Sequence, residues 1–486
     1  MRLGELNVFL DPASRGPLYI RVAEAVVSSI RRGHAPRGQV LPGIRDLAAQ
    51  LGVHRNTVLA AMRELEAQGW VGARPRSGFF VAEALPEAST AQAQGRVSEA
   101  PGSLGFDVPN HLRPITDARD LFMDFSDGVA DARLAPTEGL ARAYQRALRL
   151  KGVELLQSAD FKGQPRLRQA LAEHLAQKRA LNFDPSRLLI LRSTSMAVSL
   201  VAQVLIGSER GHVGVENPGH PAVWETLKQA SSAVLHPLRV DEGGVCVEDL
   251  ENLLRVQKLQ ILVLTPQSHY PTGVPLAPER RKRLLELAGI HRFAILELDT
   301  EFDLLRGDPA ARRPLAASDE TGQVMYVGSL ARVFAPGLRL GYLVVPSPLA
   351  DRFARARQRL DFQGDALLEW AFSELMLEGE YFRHLRRVRK ACLERKEALM
   401  DGLRHSLNHR VSFEADHGAM ALWIRGRGEW ADPTRFDLWI RACARKGLRF
   451  RAGSHFDFEG RPLAATRLGF TAYQPEELQQ AVALFT

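Results

Sequence analysis

The stretch Val327–Val344, VGSLARVFAPGLRLGYLV, carries a hydroxyl, Ser329, and a guanidinium, Arg339, at the two ends of a loop, with Arg332 between them. A hydroxyl and an arginine fork are groups that hold phosphate. Ser193, Thr194 and Ser195 follow the apolar run LLILR and open the helical run MAVSLVAQVLI. Backbone N–H groups at such a helix start would cradle the same anion. Asp299 ends FAILEL and could pair with a ring nitrogen, while Arg467, in TRLGF, is suited to a carboxylate. Singly, each residue has an ordinary structural use, since Ser and Thr are common helix caps. Their order along the chain is what points to one anion-binding site.

A second set stands near the N-terminus. His54, Arg55, Asn56 and Thr57 open the run HRNTVLAAMRELEAQ, and Arg45 opens IRDLAAQL before it. Arg and Asn make bidentate contacts to guanine and adenine edges. An arginine at the start of a supporting helix commonly holds backbone phosphate. Arg74, Arg76 and Gly78 lie at the tip of WVGARPRSGFFVAE.

The elements that must position these residues follow from periodicity. PLYIRVAEAVVSSIRR, Pro17–Arg32, repeats Leu18, Val22, Ala25, Val26 and Ile30 at helical spacing and stops at Gly33 and Pro36. A short helix over Ile44–Leu51, a turn at Gly52 and a longer helix from about His54 to Gln68 give a helix-turn-helix, whose second helix enters the major groove by its N-terminal end. The two strands around RPRSG read as a wing against phosphate or minor groove. AEALPEASTAQAQGRVSEAPGSLGFDVPNHLRP lacks apolar periodicity and reads as a flexible tether. Beyond it, RLLILRS, HVGVENP, LQILVLTP, FAILELD, QVMYVGSL and LGYLVVP alternate with amphipathic helices. That alternation predicts a parallel sheet flanked by helices, with ligands at the strands' carboxyl ends.

Composition agrees. A chain of 486 residues, 45% apolar and 25% charged, exceeds one hydrophobic core and predicts two or more domains. Residues 1–83 hold eleven arginines, no lysine and seven acids, so half of the net charge of +8 sits in about a sixth of the chain. Cys246, Cys392 and Cys443 show neither metal spacing nor a disulfide framework, and a reducing, cytoplasmic setting is expected. No apolar run reaches the length of a membrane span.

PLY, LPGIRDLAAQLGVHRNTV, ELEAQGWV and SGFFV resemble the winged helix-turn-helix of GntR-type bacterial transcription regulators over about residues 15–82. TPQSHYPTG (Thr265–Gly273), VENPGHP (Val215–Pro221), GSLARVFAPGLRLGY (Gly328–Tyr342) and TRLGF resemble fold-type I aminotransferases, which use pyridoxal phosphate (PLP), over about residues 120–486. The fusion is similar to the MocR subfamily. The resemblance implies a winged helix-turn-helix domain over 1–82, a linker over 83–115 and an α/β aminotransferase-like domain over 116–486. It also implies a homodimer that binds double-stranded DNA and senses PLP, an amine or an amino-acid-like effector.

The chain departs from that family pattern at several positions. Arg332 stands where the resemblance places the lysine that bonds PLP. Arginine stays protonated and cannot supply the neutral amine. No lysine occurs between Lys282 and Lys390. His220 replaces the ring-stacking aromatic, Ala222 an effector-binding arginine of some relatives, and Ser158 a tyrosine contributed across the dimer. In ELDTEF the tyrosine after the pyridine-binding acid is missing, and Leu298 or Asp299 holds the acid's place. Ser329, Arg339 and Arg467 keep their family roles. The expectation is a DNA-binding regulator with a catalytically silent effector domain, binding PLP non-covalently at most. The alternatives are an active aminotransferase with an appended DNA module and a ligand-free dimerisation scaffold.

Overall fold

Pro17, with φ −57° and ψ 138°, precedes a helix that starts at Leu18, one residue later than the proline-led turn expected from sequence. The computed structural model describes residues 8, 17–74, 78–86, 122–157, 160–305, 312–415 and 417–486. Arg76, Ser158 and residues 87–115 of the expected linker lie outside the described residues. Chain contacts divide the molecule into two units, Met1–Ile115 and Thr116–Thr486.

In the first unit, α1 (Leu18–Arg31), α2 (Ile44–Leu51) and α3 (Arg55–Ala67) are followed by the antiparallel hairpin β1 (Val71–Arg74) and β2 (Gly78–Val81). Gly52 ends α2 in the left-handed region, at φ +63°, a conformation that glycine adopts without Cβ strain. His54 caps α3: its Nδ1 accepts from the Asn56 backbone N–H at 3.2 Å. Val22, Val26, Leu47, Val58, Leu65, Trp70 and Val81 form one buried cluster, which holds the three helices and the hairpin together. Gly72 faces Phe80 across the hairpin, and a Cβ at Gly72 would stand 2.5 Å from the Phe80 ring.

The second unit opens with β3 (Met123–Asp124) and is built on an eight-stranded sheet. Its strands are β4 (Leu188–Leu191), β5 (Gly211–Asn217), β6 (Ala233–Asp241), β7 (Gly244–Val245), β8 (Ile261–Leu264), β9 (Ala294–Leu298), β10 (Val324–Ser329) and β11 (Gly341–Val344). The order is β4-β11-β10-β9-β8-β5-β6-β7. Alternate residues face opposite sides: Leu188 and Ile190 join one core cluster, Leu189 and Leu191 another. Both faces are therefore covered, as a mostly parallel sheet requires.

The expected parallel sheet needs one correction. β11 runs antiparallel to both β10 and β4, and the edge strand β7 is antiparallel to β6. The connection from Ser329 to Gly341 holds only a short 3-10 turn, Pro336–Leu338. A parallel return needs a crossover of a dozen or more residues, usually a helix, so the chain folds straight back. A smaller sheet of β12 (Val411–Ser412), β13 (Ala421–Gly426) and β15 (Ala465–Gly469) carries Arg467, and β14 (Leu448–Arg449) pairs with β3. Helices α4 (Thr137–Leu155), α5 (Pro165–Arg179), α6 (Thr194–Leu205) and α7 (Pro221–Ala230) pack around these sheets. Among the described residues no helix is long and apolar enough to cross a membrane.

Candidate functional site

The carboxyl ends of β4, β8, β9 and β10 surround a cavity of about 370 Å³. Ser193, Thr194, Ser195, His220, Asp299, Ser329, Arg332, Arg339 and Arg467 all line it, so residues 274 positions apart in sequence share one wall. Leu298 lines it too, next to Asp299.

Part of the cavity wall gathers hydroxyls, a helix start and a guanidinium. Ser193 caps α6, its Oγ accepting from Met196 N–H at 3.1 Å, which sets Thr194 and Ser195 in the first turn. Ser329 Oγ accepts the backbone N–H of Arg332 at 3.2 Å and tethers the loop after β10. Arg339, exposed and in the left-handed region at φ +50°, has no ion pair among the described residues. A guanidinium, a helix N-terminus and hydroxyls lining one cavity are the donor types that a phosphate group would need.

An ionic network occupies another part of the cavity wall. Arg332 Nη1 and Nη2 donate to Asp127 Oδ2 and Oδ1 at 3.2 and 3.1 Å, and Nη2 donates to Glu301 Oε1 at 3.0 Å. Arg467 binds the same two carboxylates, Nε to Asp127 Oδ1 at 3.3 Å and Nη2 to Glu301 Oε1 at 3.2 Å, while Nη1 donates to the Pro271 carbonyl at 3.0 Å. Burial disfavours charge on Asp127, yet the Arg332 and Arg467 charges outweigh it and hold the carboxyl well below the usual range. Burial likewise opposes charge on Arg332, and Asp127 and Glu301 keep it protonated. Each nitrogen of the Arg467 fork is thus engaged by the protein itself. This qualifies the expectation of an open carboxylate clamp: a ligand carboxylate has to displace one of these partners.

His220 lies stacked on Tyr270, centroids 4.1 Å apart and planes 21° from parallel, and Arg467 lies over the same tyrosine ring at 4.6 Å. One face of the ring expected to stack on a cofactor is therefore already covered. Burial lowers the His220 pKa to about 4, so the imidazole is neutral, with Nδ1 buried and unbonded. Asp299 is fully buried and ion-paired with Arg179 from α5, and Tyr326 of β10 donates to Asp299 Oδ2 at 2.8 Å. A tyrosine hydroxyl thus reaches this acid from the neighbouring strand, although the local sequence after Asp299 lacks one.

Asp127, Glu301, Tyr270 and Arg179 escaped the sequence reading. Asp127 stands in FSDGVADARL, which has no periodicity, and Glu301 stands in the quoted DTEF. Two arginines directed at one site did carry a signal, because buried charges need partners.

In the first unit Arg45, His54, Arg55 and Asn56 are exposed, Thr57 is half-buried, and Arg45 and Arg55 carry no ion pair among the described residues. Arg74 stacks on the Phe80 ring at 4.4 Å and pairs in register with Gly78, which takes φ +81°.

The family model "Aminotransferase class I and II" matches residues 123–485, and "Bacterial regulatory proteins, gntR family" matches residues 18–81. A probable rhizopine catabolism regulatory protein, MocR, of Rhizobium meliloti is 28% identical over 97% of this chain and 94% of its own length. TauR, a transcriptional regulator of Rhodobacter capsulatus, is 29% identical over 98% of this chain and 97% of its own. The pyridoxine biosynthesis regulator PdxR of Corynebacterium glutamicum is 25% identical, covering 93% and 92%. Among solved structures, kynurenine aminotransferase of Pyrococcus horikoshii superposes with a TM-score of 0.68 at 22% identity, over 75% of this chain and 89% of that one. The α-aminoadipate aminotransferase LysN of Thermus thermophilus gives 0.67 at 25%, over 76% and 91%. A GntR-type winged helix-turn-helix joined to a fold-type I aminotransferase domain thus recurs along nearly the full length of these regulators, and the chain belongs to the MocR subfamily of GntR-type transcription regulators.

Proposed function

We propose that this DNA-binding transcription regulator reads a small molecule in its aminotransferase-like domain without forming a covalent bond to it. The boundaries assigned are 1–82 for the DNA-binding domain, 83–115 for the linker and 116–486 for the effector and dimerisation domain. The observation that carries the reading is that Arg332, which on the resemblance stands where the family has its lysine, lines the cavity and is bound to Asp127 and Glu301. A guanidinium has no deprotonated form at ordinary pH, and two carboxylates stabilise its charge further. Among the described residues no lysine lines the cavity.

PLP fits this site at one end only. Ser193, Thr194, Ser195, Ser329 and Arg339 suit its phosphate, and Asp299, which lines the same cavity, would be the acid for its ring nitrogen. Its carbonyl would find no lysine amine among the described residues that line the cavity. The domain therefore binds PLP non-covalently, or another phosphorylated or carboxylated effector, and it performs no transamination. His54, Arg55, Asn56 and Thr57 read bases, whereas Arg45, Arg74, Arg76 and Gly78 serve the backbone. A homodimer would present two such helices to paired DNA sites. The cysteines, buried and unpaired, suit a reducing cytoplasm.

The test mixes the purified full-length protein with PLP, treats it with borohydride and measures its mass. No pyridoxyl adduct is expected, and an adduct on any side chain would return the reading to a working aminotransferase. Selection of bound DNA from a random pool, with and without PLP, then asks whether the ligand alters DNA binding.

A further inference from the structure

We infer that Asp127 sets the pocket's ligand specificity: its carboxylate occupies the seat of a ligand carboxylate on Arg332 and Arg467. Carboxylate-bearing ligands would then enter only by exchange with it. This deepens the proposed effector reading and rests on it.

Three observations carry the inference. Asp127 meets Arg332 with both oxygens and Arg467 with one, an end-on fork geometry of the kind by which arginine binds a free carboxylate. It is also the reachable member of the network, with a side chain 32% exposed against 23% for Arg332, 10% for Glu301 and 3% for Arg467. Finally, the network is incomplete as it stands. Arg332 Nε and Glu301 Oε2 are buried without a hydrogen-bond partner, so a donor and an acceptor remain unused beside the cavity.

Only the side chain needs to move. The backbone around Asp127 is pinned, because Gly469 N–H donates to the Phe125 carbonyl and a Cβ at Gly469 would stand 2.0 Å from the Asp127 carbonyl. Rotation of the Asp127 side chain toward solvent would uncover both guanidinium forks while Glu301 remains in place. A ligand that needs this rearrangement has its affinity reduced by the small fraction of open molecules. A phosphate monoester without a carboxylate meets no such competitor, since among the described residues the Ser329 and Arg339 side chains bind neither Asp127 nor Glu301.

Chemical rescue tests this. Asp127→Ala leaves a carboxylate-shaped gap on two arginines, and sodium acetate is the probe, with sodium chloride at equal ionic strength as control. The thermal midpoint of full-length D127A should fall below wild type and rise saturably with acetate. Its apparent Kd should be lower than in wild type by about tenfold or more. D127E, which keeps the competing charge, should respond as wild type does, and D127N, which keeps the shape, should follow D127A should the latter fail to fold. Equal acetate responses in wild type and the neutral variants would overturn the inference. Failure of PLP to alter DNA selection would instead overturn the effector reading and leave the acetate result standing.

Discussion

Arg332 Nη2 lies 3.0 Å from Glu301 Oε1, so the guanidinium at the cavity wall is held by a carboxylate of its own chain. The first prediction follows from exchanging the charged group for one that can lose a proton. Arg332→Lys should gain a borohydride-fixed pyridoxyl adduct, read by mass, that wild type lacks. Because Asp127 and Glu301 also favour a protonated lysine, adding Asp127→Asn should increase the adduct. Absence of adduct in both variants would show that more than the lysine has been lost.

Arg467 is 2% exposed and joins both carboxylates to β15. Removing one partner of a buried pair leaves the others uncompensated. Arg467→Met should therefore lower stability by about 3–5 kcal/mol in chemical denaturation. A loss below about 1 kcal/mol, the range of surface pairs, would mean that the network contributes little to folding.

In the DNA-binding domain, Arg55 stands at the start of α3 and Arg45 at the start of α2, both exposed. Arg55→Ala should relax sequence choice at about one base pair, at about 1–3 kcal/mol of discrimination. Arg45→Ala should weaken binding uniformly and reduce the salt slope by about 1. Selection from a random pool and titration against salt separate the two outcomes.

The wing offers an independent check. Gly72 leaves room for the Phe80 ring, on which Arg74 stacks. Gly72→Val should push that ring aside and release Arg74, lowering DNA affinity with little change in sequence preference. A shift in preference instead would place the hairpin on base edges.

Buried titratable groups make the stability depend on pH. Burial raises Glu216 to about 8 and Glu369 to about 7, so the fold holds protons that the unfolded chain releases above about 4.5. Stability from these groups falls as pH rises from 4.5 toward those values. Burial lowers His220 to about 4 and His269 to about 3, so stability from them is lost as pH drops below 6.5. The thermal midpoint should be highest between about pH 4.5 and 6.5 and decline on both sides. Glu216→Gln should flatten the alkaline side by up to about 5 kcal/mol.

The sequence by itself determined the elements and which candidate residues to look for together. Apolar periodicity marked the first-unit helices, because burial of one face requires that pattern, and continuous apolar runs marked the central strands, which are covered on both faces. Chain order brought Ser193, Ser329, Arg339 and Arg467 under one heading, and the cavity does gather them. Tertiary structure decided what those groups are free to do. Asp127 and Arg467 are far apart in sequence, and only the meeting of the β3 loop with β15 pairs their charges. The same holds for Tyr326 on Asp299 and for Tyr270 on His220. The direction of β11 also had to be seen, since a short loop sets it and strand composition does not. Local pattern records which surface of an element is buried, whereas the partner of a charge or a ring is fixed by contacts between distant segments, which leave no periodic trace.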